Sequence, residues 1–278
     1  MKKAILSIAL VLIAFANIAW MGAHTAMQKT VRGYNFTTDA NCAGAWYMNE
    51  DAATAENDES SNNKDLAVSA GDEATRSATV PTGYAGYSRD FEYTTEEDYL
   101  TLADEGGSLD INGADAKVTV ACWFKPESVQ AATVHNLIGK YDATGNQRQY
   151  KISITGDAEA DGYTITGWVS ADSTSGGTGQ DIPATTANFT VASGWHHVAM
   201  VCDDSNLYLY VDGVQDCSPE AHTGGIFNGN VAFQVARATV NTFDGLIDEC
   251  IVLNRALSAA EVAELHRNGI SGNKGASD

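Results

Sequence analysis

The stretch that decides the reading is Phe243-Asp244-Gly245-Leu246-Ile247-Asp248-Glu249-Cys250-Ile251-Val252-Leu253-Asn254-Arg255-Ala256-Leu257-Ser258. It holds a turn, a strand and the start of a helix. Gly245 supplies the unrestricted backbone that a turn needs. Leu246 to Leu253 is short, largely apolar and rich in Ile and Val, which predicts a buried strand. Ser258 with Glu261 three residues on forms a capping box, and Val262 and Leu265 give the following helix an apolar side. Gly269 stands where a helix C-terminus favours glycine.

Working outward, Trp195-His196-His197-Val198-Ala199 and Tyr208-Leu209-Tyr210-Val211-Asp212-Gly213 predict a hairpin around Asp203 to Asn206, with a second turn at Asp212-Gly213. Val118 to Phe124 is strand-like and Pro126 ends it. Further strands are expected at Gly44 to Glu50, Leu66 to Val68, twice within the aromatic-dense Tyr84 to Leu102, at His135 to Lys140, Gln149 to Thr155, Tyr163 to Val169, Val214 to Cys217 and Val231 to Ala236. Asp51 to Asn63 and the Gly/Ser-rich Ala171 to Thr186 lack any hydrophobic period and read as loops. About thirteen short strands with a single terminal helix predict an all-β sandwich of two antiparallel sheets.

These residues resemble the laminin-G-like family of concanavalin A-like jelly rolls. The first strand of that family, an aromatic run ending in Glu, is matched by Trp46 to Glu50, and its polar loop by Asp58 to Asp65, which here lacks the usual Gly. Asp90-Phe91-Glu92 and Asp98-Tyr99 match the next element, and Thr119 to Pro126 matches its central strand. The resemblance implies one jelly-roll domain over 42–268, after a lead-in at 27–41 and before a polar tail at 269–278. It also implies binding of sugars, proteins or calcium, or plain structural service.

Residues 1–26 carry a basic start (Lys2, Lys3), an apolar core and the small-x-small Ala14-Phe15-Ala16. They predict an export signal or, since the apolar span runs to about 18 residues, an uncleaved membrane anchor. Either places the folded part at the cell surface or outside the cell, where disulfides are permitted. Cys42, Cys122, Cys202, Cys217 and Cys250 form no CxxC pair. Cys122 and Cys250 could pair across a sheet or pack as small hydrophobes. A 44% hydrophobic content supports a core, which rules out disorder throughout. With 36 Asp and Glu against 16 Lys and Arg the chain carries −20, which argues against nucleic acid and anionic lipid as partners.

Catalysis finds little support. Glycoside hydrolysis needs two carboxylates about 5 Å apart for retention, and no strand carries a paired set. Alternation puts Asp248 and Glu249 on opposite faces, and His196 and His197 likewise. No Gly-x-Ser-x-Gly elbow is present. The expectation is a non-enzyme.

Two sites are proposed from the sequence. For a structural calcium, which the resemblance implies where first and last strands meet, the matching residues are Glu50, Asp58 and Asp248. No second calcium site is expected, because Arg237-Ala238-Thr239-Val240 stands where an acidic run would fall. For a ligand face, alternation in Tyr163 to Val169 places Trp168 on the polar side with Thr164 and Thr166, which suits stacking against a sugar ring. Tyr141, Asp142, Arg237 and Asn241 lie in loops that could rim it. Trp46, Trp123 and Trp195 are expected in the core. The partner is then a glycan or an extracellular protein. The alternative is a self-assembling subunit, a homo-oligomer or filament of a surface layer.

Overall fold

The computed structural model describes residues 33–51, 53–69, 74–93, 98–104, 106–157, 161–173, 180–182, 189–237 and 242–274. The export segment read at 1–26 lies outside them. Among those described, no helix is long and apolar enough to cross a membrane.

The first strands are β1 (Cys42–Trp46), β2 (Ala67–Val68), β3 (Thr75–Ser77), β4 (Ser88–Phe91), β5 (Leu100–Leu102) and β6 (Val118–Pro126). There follow β7 (Val134–Asp142), β8 (Gln147–Gly156), β9 (Gly162–Val169), β10 (Gln180–Ile182), β11 (Phe189–Thr190) and β12 (His196–Cys202). Last come β13 (Asn206–Val211), β14 (Val214–Gln215), β15 (Glu220–Ala221), β16 (Phe233–Val235), β17 (Gly245–Leu253) and the helix α1 (Ala259–Asn268). One sheet runs β14-β13-β12-β6-β17-β4-β3, with β1 also on β17 and β15 on β13. The other runs β10-β9-β8-β7-β16-β5-β2, with β11 on β9. The two-sheet antiparallel sandwich expected from the sequence is therefore present. A short strand, Gln180–Ile182, stands inside the stretch read as a loop and pairs with Gln180 opposite Val169.

The first sheet is apolar on both faces. Its inner side (Trp46, Val120, Cys122, Phe124, Ile247, Cys250, Val252) packs on the second sheet, where Trp46 stacks on Phe233 at 5.2 Å. Its outer side (Ala121, Ala199, Val201, Ile251, Leu253) is roofed by Val262 and Leu265 of α1. Phe36, from the lead-in, and Ile270, from the tail, complete that roof, and Phe36 N donates to Ile270 O at 2.8 Å. Burial on both faces is why Leu246 to Leu253 shows a run rather than an alternation.

The local signals act as expected. Ser258 Oγ accepts from Glu261 N while Glu261 Oε2 accepts from Ser258 N, so both orphan donors at the start of α1 are satisfied. Gly245 has φ +136°, and a Cβ there would stand 2.3 Å from Lys125 O, so only glycine fits. All five cysteines are free thiols. Cys122 and Cys250 pack in the core between the sheets, the second of the two alternatives.

The acidic Asp51 to Asn63 loop is tied down from within. Arg89, 0% exposed, donates to the carbonyls of Glu50 (3.0 Å), Asp51 (2.8 Å), Thr54 (2.5 Å) and Ala74 (3.2 Å), with Glu56 3.5 Å from its Nε. On the second sheet Lys140 is buried between Asp104 and Asp110.

Candidate functional site

The calcium set does not assemble. Asp58 spends both oxygens on β1 and its own loop region, accepting from Ala45 N (2.9 Å), Ser60 N (2.9 Å), Ser60 Oγ (2.8 Å) and Lys64 N (2.8 Å). Glu50 accepts from Asn57 Nδ2 at 2.5 Å. Asp248 is buried beside Trp123, with Glu249 N donating to its Oδ1 at 2.8 Å. The three do not fit one ion, and no role is derived for one there. Among the described residues the carboxylates that do converge are Asp90, Glu92 and Glu127, within 4.8 Å of one another. Glu92 and Glu127 are exposed, and an exposed acidic trio needs no ion.

The alternation argument also fails at Asp248-Glu249. The β6–β17 register slips between Asp248 and Ile251, and Glu249 has φ +50°. This bulge leaves an extra residue opposite Cys122 and re-aims the side chain that strict alternation would send inward. Glu249 Oε2 instead accepts from Ile270 N at 2.6 Å, on the helix side. His196 and His197 do diverge: His196 packs on Phe124 and Phe189, His197 on Trp123 and His266.

Trp168 shares the outward side of β9 with Thr164 and Thr166, as alternation predicts, but it is only 4% exposed. Tyr141 meets it edge-on at 5.0 Å, and Lys151, its neighbour across the strands, lies over the Tyr141 ring at 4.1 Å. The expectation of an open stacking face at Trp168 is thus corrected: the ring is covered. Asp142 caps its own turn, accepting from Thr144 N (2.8 Å) and Gly145 N (3.1 Å). Arg237 lies away from this group. Phe233 pairs with Lys140 and Val235 with Ile138, so Arg237 continues toward the opposite end of β7 from Tyr141, where it stacks on Tyr99 at 4.5 Å. Asn241 lies outside the described residues.

A different constellation forms the open site. At the end of α1, on the outer side of the first sheet, Thr82, Tyr84, Trp123, Trp195, Asp212, His266, Arg267 and Lys274 enclose a cavity of about 350 Å³. Strand β6 supplies Trp123, opposite His197 on one side and Asp248 on the other. Trp195 stands just before β12 and is half-buried, which corrects its expected place in the core. Trp123, 8% exposed, is buried in the cavity wall rather than between the sheets. Its ring meets Tyr84 at 5.3 Å, His266 at 5.2 Å and His197 at 5.4 Å. Tyr84 OH donates to His266 O at 2.9 Å, tying the loop before β4 to the helix end.

Asp212 sits at the turn that the Asp-Gly pair announces. Its Oδ1 accepts from His197 N and its Oδ2 meets His196 Nδ1, each at 2.9 Å. Burial alone would raise this carboxyl, but the His196 ring and the His197 N–H outweigh it and hold it below its usual value. His197 is pushed down to about 3 by burial first and by His266 second, so it stays neutral. Burial also lowers His266, with Lys274 and Arg267 adding to the effect. The indole N–H groups of Trp123 and Trp195 are buried, that of Trp123 beside the Tyr84 hydroxyl, so neither is open to the cavity. Lys274 Nζ lies 5.7 Å above the Tyr84 ring and, among the described residues, forms no ion pair. The wall is therefore aromatic, with Asp212, Arg267 and Lys274 as its charged groups.

A profile of the concanavalin A-like lectin/glucanases superfamily matches residues 94–263. No curated protein matches the chain. Among solved structures it is similar to domain 4 of AbnA, an extracellular arabinanase from Geobacillus stearothermophilus, solved with arabinotriose. That likeness has 16% identity and TM-score 0.54, and covers 81% of this chain and 98% of that one. It is similar as well to the binding domain of Paraclostridial Mosquitocidal Protein 1, with 16% identity, TM-score 0.60, and 81% and 52% covered. A third is the binding domain of botulinum neurotoxin DC in complex with rat synaptotagmin II, with 13% identity, TM-score 0.56, and 82% and 51% covered. The chain thus spans about half the length of each of these two toxin chains.

Proposed function

The chain belongs to the concanavalin A-like lectin/glucanase superfamily, and from that premise we propose that it is a non-catalytic binding domain, working outside the cell, that recognises a glycan. The observation that carries the reading is the cavity walled by Tyr84, Trp123 and Trp195. Aromatic faces suit a sugar ring, whose C–H face is apolar, and Asp212, Arg267 and Lys274 beside them suit its rim of hydroxyls. Its size lies at the lower end of ligand pockets, which run from about 300 to 1,000 Å³. The neighbours support a binding role: one was solved with arabinotriose, and others are toxin binding domains, one in complex with rat synaptotagmin II. A domain of this fold in an arabinanase also shows that a sandwich of this kind can accompany an enzyme.

Asp248 and Glu249 share the helix side of the sheet but are buried and do not line the cavity, so they give no acid–nucleophile pair to a bound sugar. The test is a glycan array probed with the wild type and Trp195→Ala. Signals present for the first and lost for the second support the reading. An array on which the folded wild type binds nothing overturns it.

A further inference from the structure

Resting on the glycan reading of the same cavity, we infer that its ligand is an acidic sugar, held with the ring against Trp195 and Tyr84 and the carboxylate at Lys274. Three observations carry this. First, Asp212, the carboxylate in the wall, already has each oxygen engaged, by the His197 N–H and the His196 ring at 2.9 Å. Each oxygen keeps one lone pair for a sugar hydroxyl, so a carboxylate on the ligand must lie at the cations and not here. Second, the cavity also holds cationic donors: the Lys274 ammonium and Arg267, which shares its charge with Glu264 at 3.2 Å. Third, Lys274 has room and no competing carboxylate among the described residues. Gly83 has φ +85°, and a Cβ there would come within 3.1 Å of Lys274 Nζ, so the glycine keeps space beside the ammonium.

A wall that holds an ammonium with no ion pair among the described residues selects a ligand that brings acceptors and negative charge. The chain's −20 limits what that ligand can be. A polyanionic glycan would be repelled at range by the acidic surface, whereas one carboxylated ring on an otherwise neutral chain meets only the local field. The arrangement therefore fits a single acidic residue, at a chain end or as a side branch, and not a sulfated or uniformly acidic polymer.

The test is titration calorimetry of the full chain with three probes: methyl β-glucuronide, methyl α-sialoside and methyl β-glucoside. The expected result is that one of the two carboxylated rings binds about tenfold more tightly than the glucoside, as a charge-assisted contact provides. Lys274→Gln should erase that preference, so that the carboxylated ring and the glucoside bind alike, and Gly83→Ala should weaken it. Trp195→Ala should weaken all probes alike. Equal affinities for the three probes, or a Lys274→Gln variant that keeps the preference, overturn the inference and leave the glycan reading standing. No binding of any probe, together with a silent array, overturns both.

Discussion

The carboxylate of Glu249 accepts the backbone N–H of Ile270 at 2.6 Å, joining a bulge in the last strand to the turn that follows the helix. Burial pushes Glu249 up to about 7, more than the Ile270 N–H draws it back. A carboxyl raised in the folded state binds a proton more tightly there than in the unfolded chain. Its contribution to stability is complete below its ordinary 4.5 and is lost as pH climbs through about 7. Glu249→Gln keeps an acceptor for Ile270 N and removes the titration. The melting temperature of the variant relative to wild type should rise steadily from pH 5 to pH 8. A difference that is flat across that range would exclude Glu249 as the source.

Arg89 holds the first loop through the carbonyls of Asp51 and Thr54 and its pairing with Glu56, and ties it to Glu50 and Ala74 through theirs, all from a fully buried position. Arg89→Met leaves those carbonyls without their donor and Glu56 without its counter-charge. The expected cost is about 3–5 kcal/mol, the range for breaking a buried pair from one side. Denaturant titration measures it. Adding Glu56→Gln to Arg89→Met should recover part of the loss, because the amide still accepts from Asn49 N, which now lies 2.7 Å from Glu56 Oε1.

The fold was legible because its signals are local. The capping box at Ser258, the glycine at 245 and the apolar run to Leu253 each act within a few residues, whereas the meeting of first and last strands, with Trp46 opposite Cys250, was implied by the family resemblance. The cavity was not legible, because it draws on segments near 84, 123, 195, 212 and 266–274 that only the folded sheet brings together. Nothing in an alternating pattern marks a bulge, so Asp248 and Glu249 were sent to opposite faces. Trp195 offered one clue: it stands immediately before the paired histidines that Asp212 fixes, at the end of a strand and not inside it. Trp168 shows the converse error, an outward side chain that a neighbouring aromatic covers.

At the far end of the first sheet, Asp90, Glu92 and Glu127 crowd together. Burial, then Glu127 and Glu92, raise Asp90 to about 6. Asp90 therefore favours the folded state most below its ordinary 3.8 and loses that contribution as pH passes about 6. Glu127→Gln removes one of the repelling charges. It should stabilise the protein above pH 6 by less than about 1 kcal/mol, as expected for a largely exposed charge, and have little effect at pH 4. Thermal melts at the two pH values decide it, and an equal effect at both would rule out repulsion as the cause.

Two tryptophans separate the alternative binding faces. Trp168 is buried against Tyr141, so Trp168→Ala should cost about 3 kcal/mol of stability through the cavity it leaves. It should leave glycan binding intact once the protein is folded. Trp195 is half-buried in the cavity wall, so Trp195→Ala should cost roughly 1–2 kcal/mol and reduce glycan binding at least about tenfold. Both variants are read on the same array, at a temperature where denaturant melts show each to be folded. The opposite pattern, binding lost with Trp168→Ala and kept with Trp195→Ala, would move the recognition face to the second sheet and remove the cavity at the helix end from consideration.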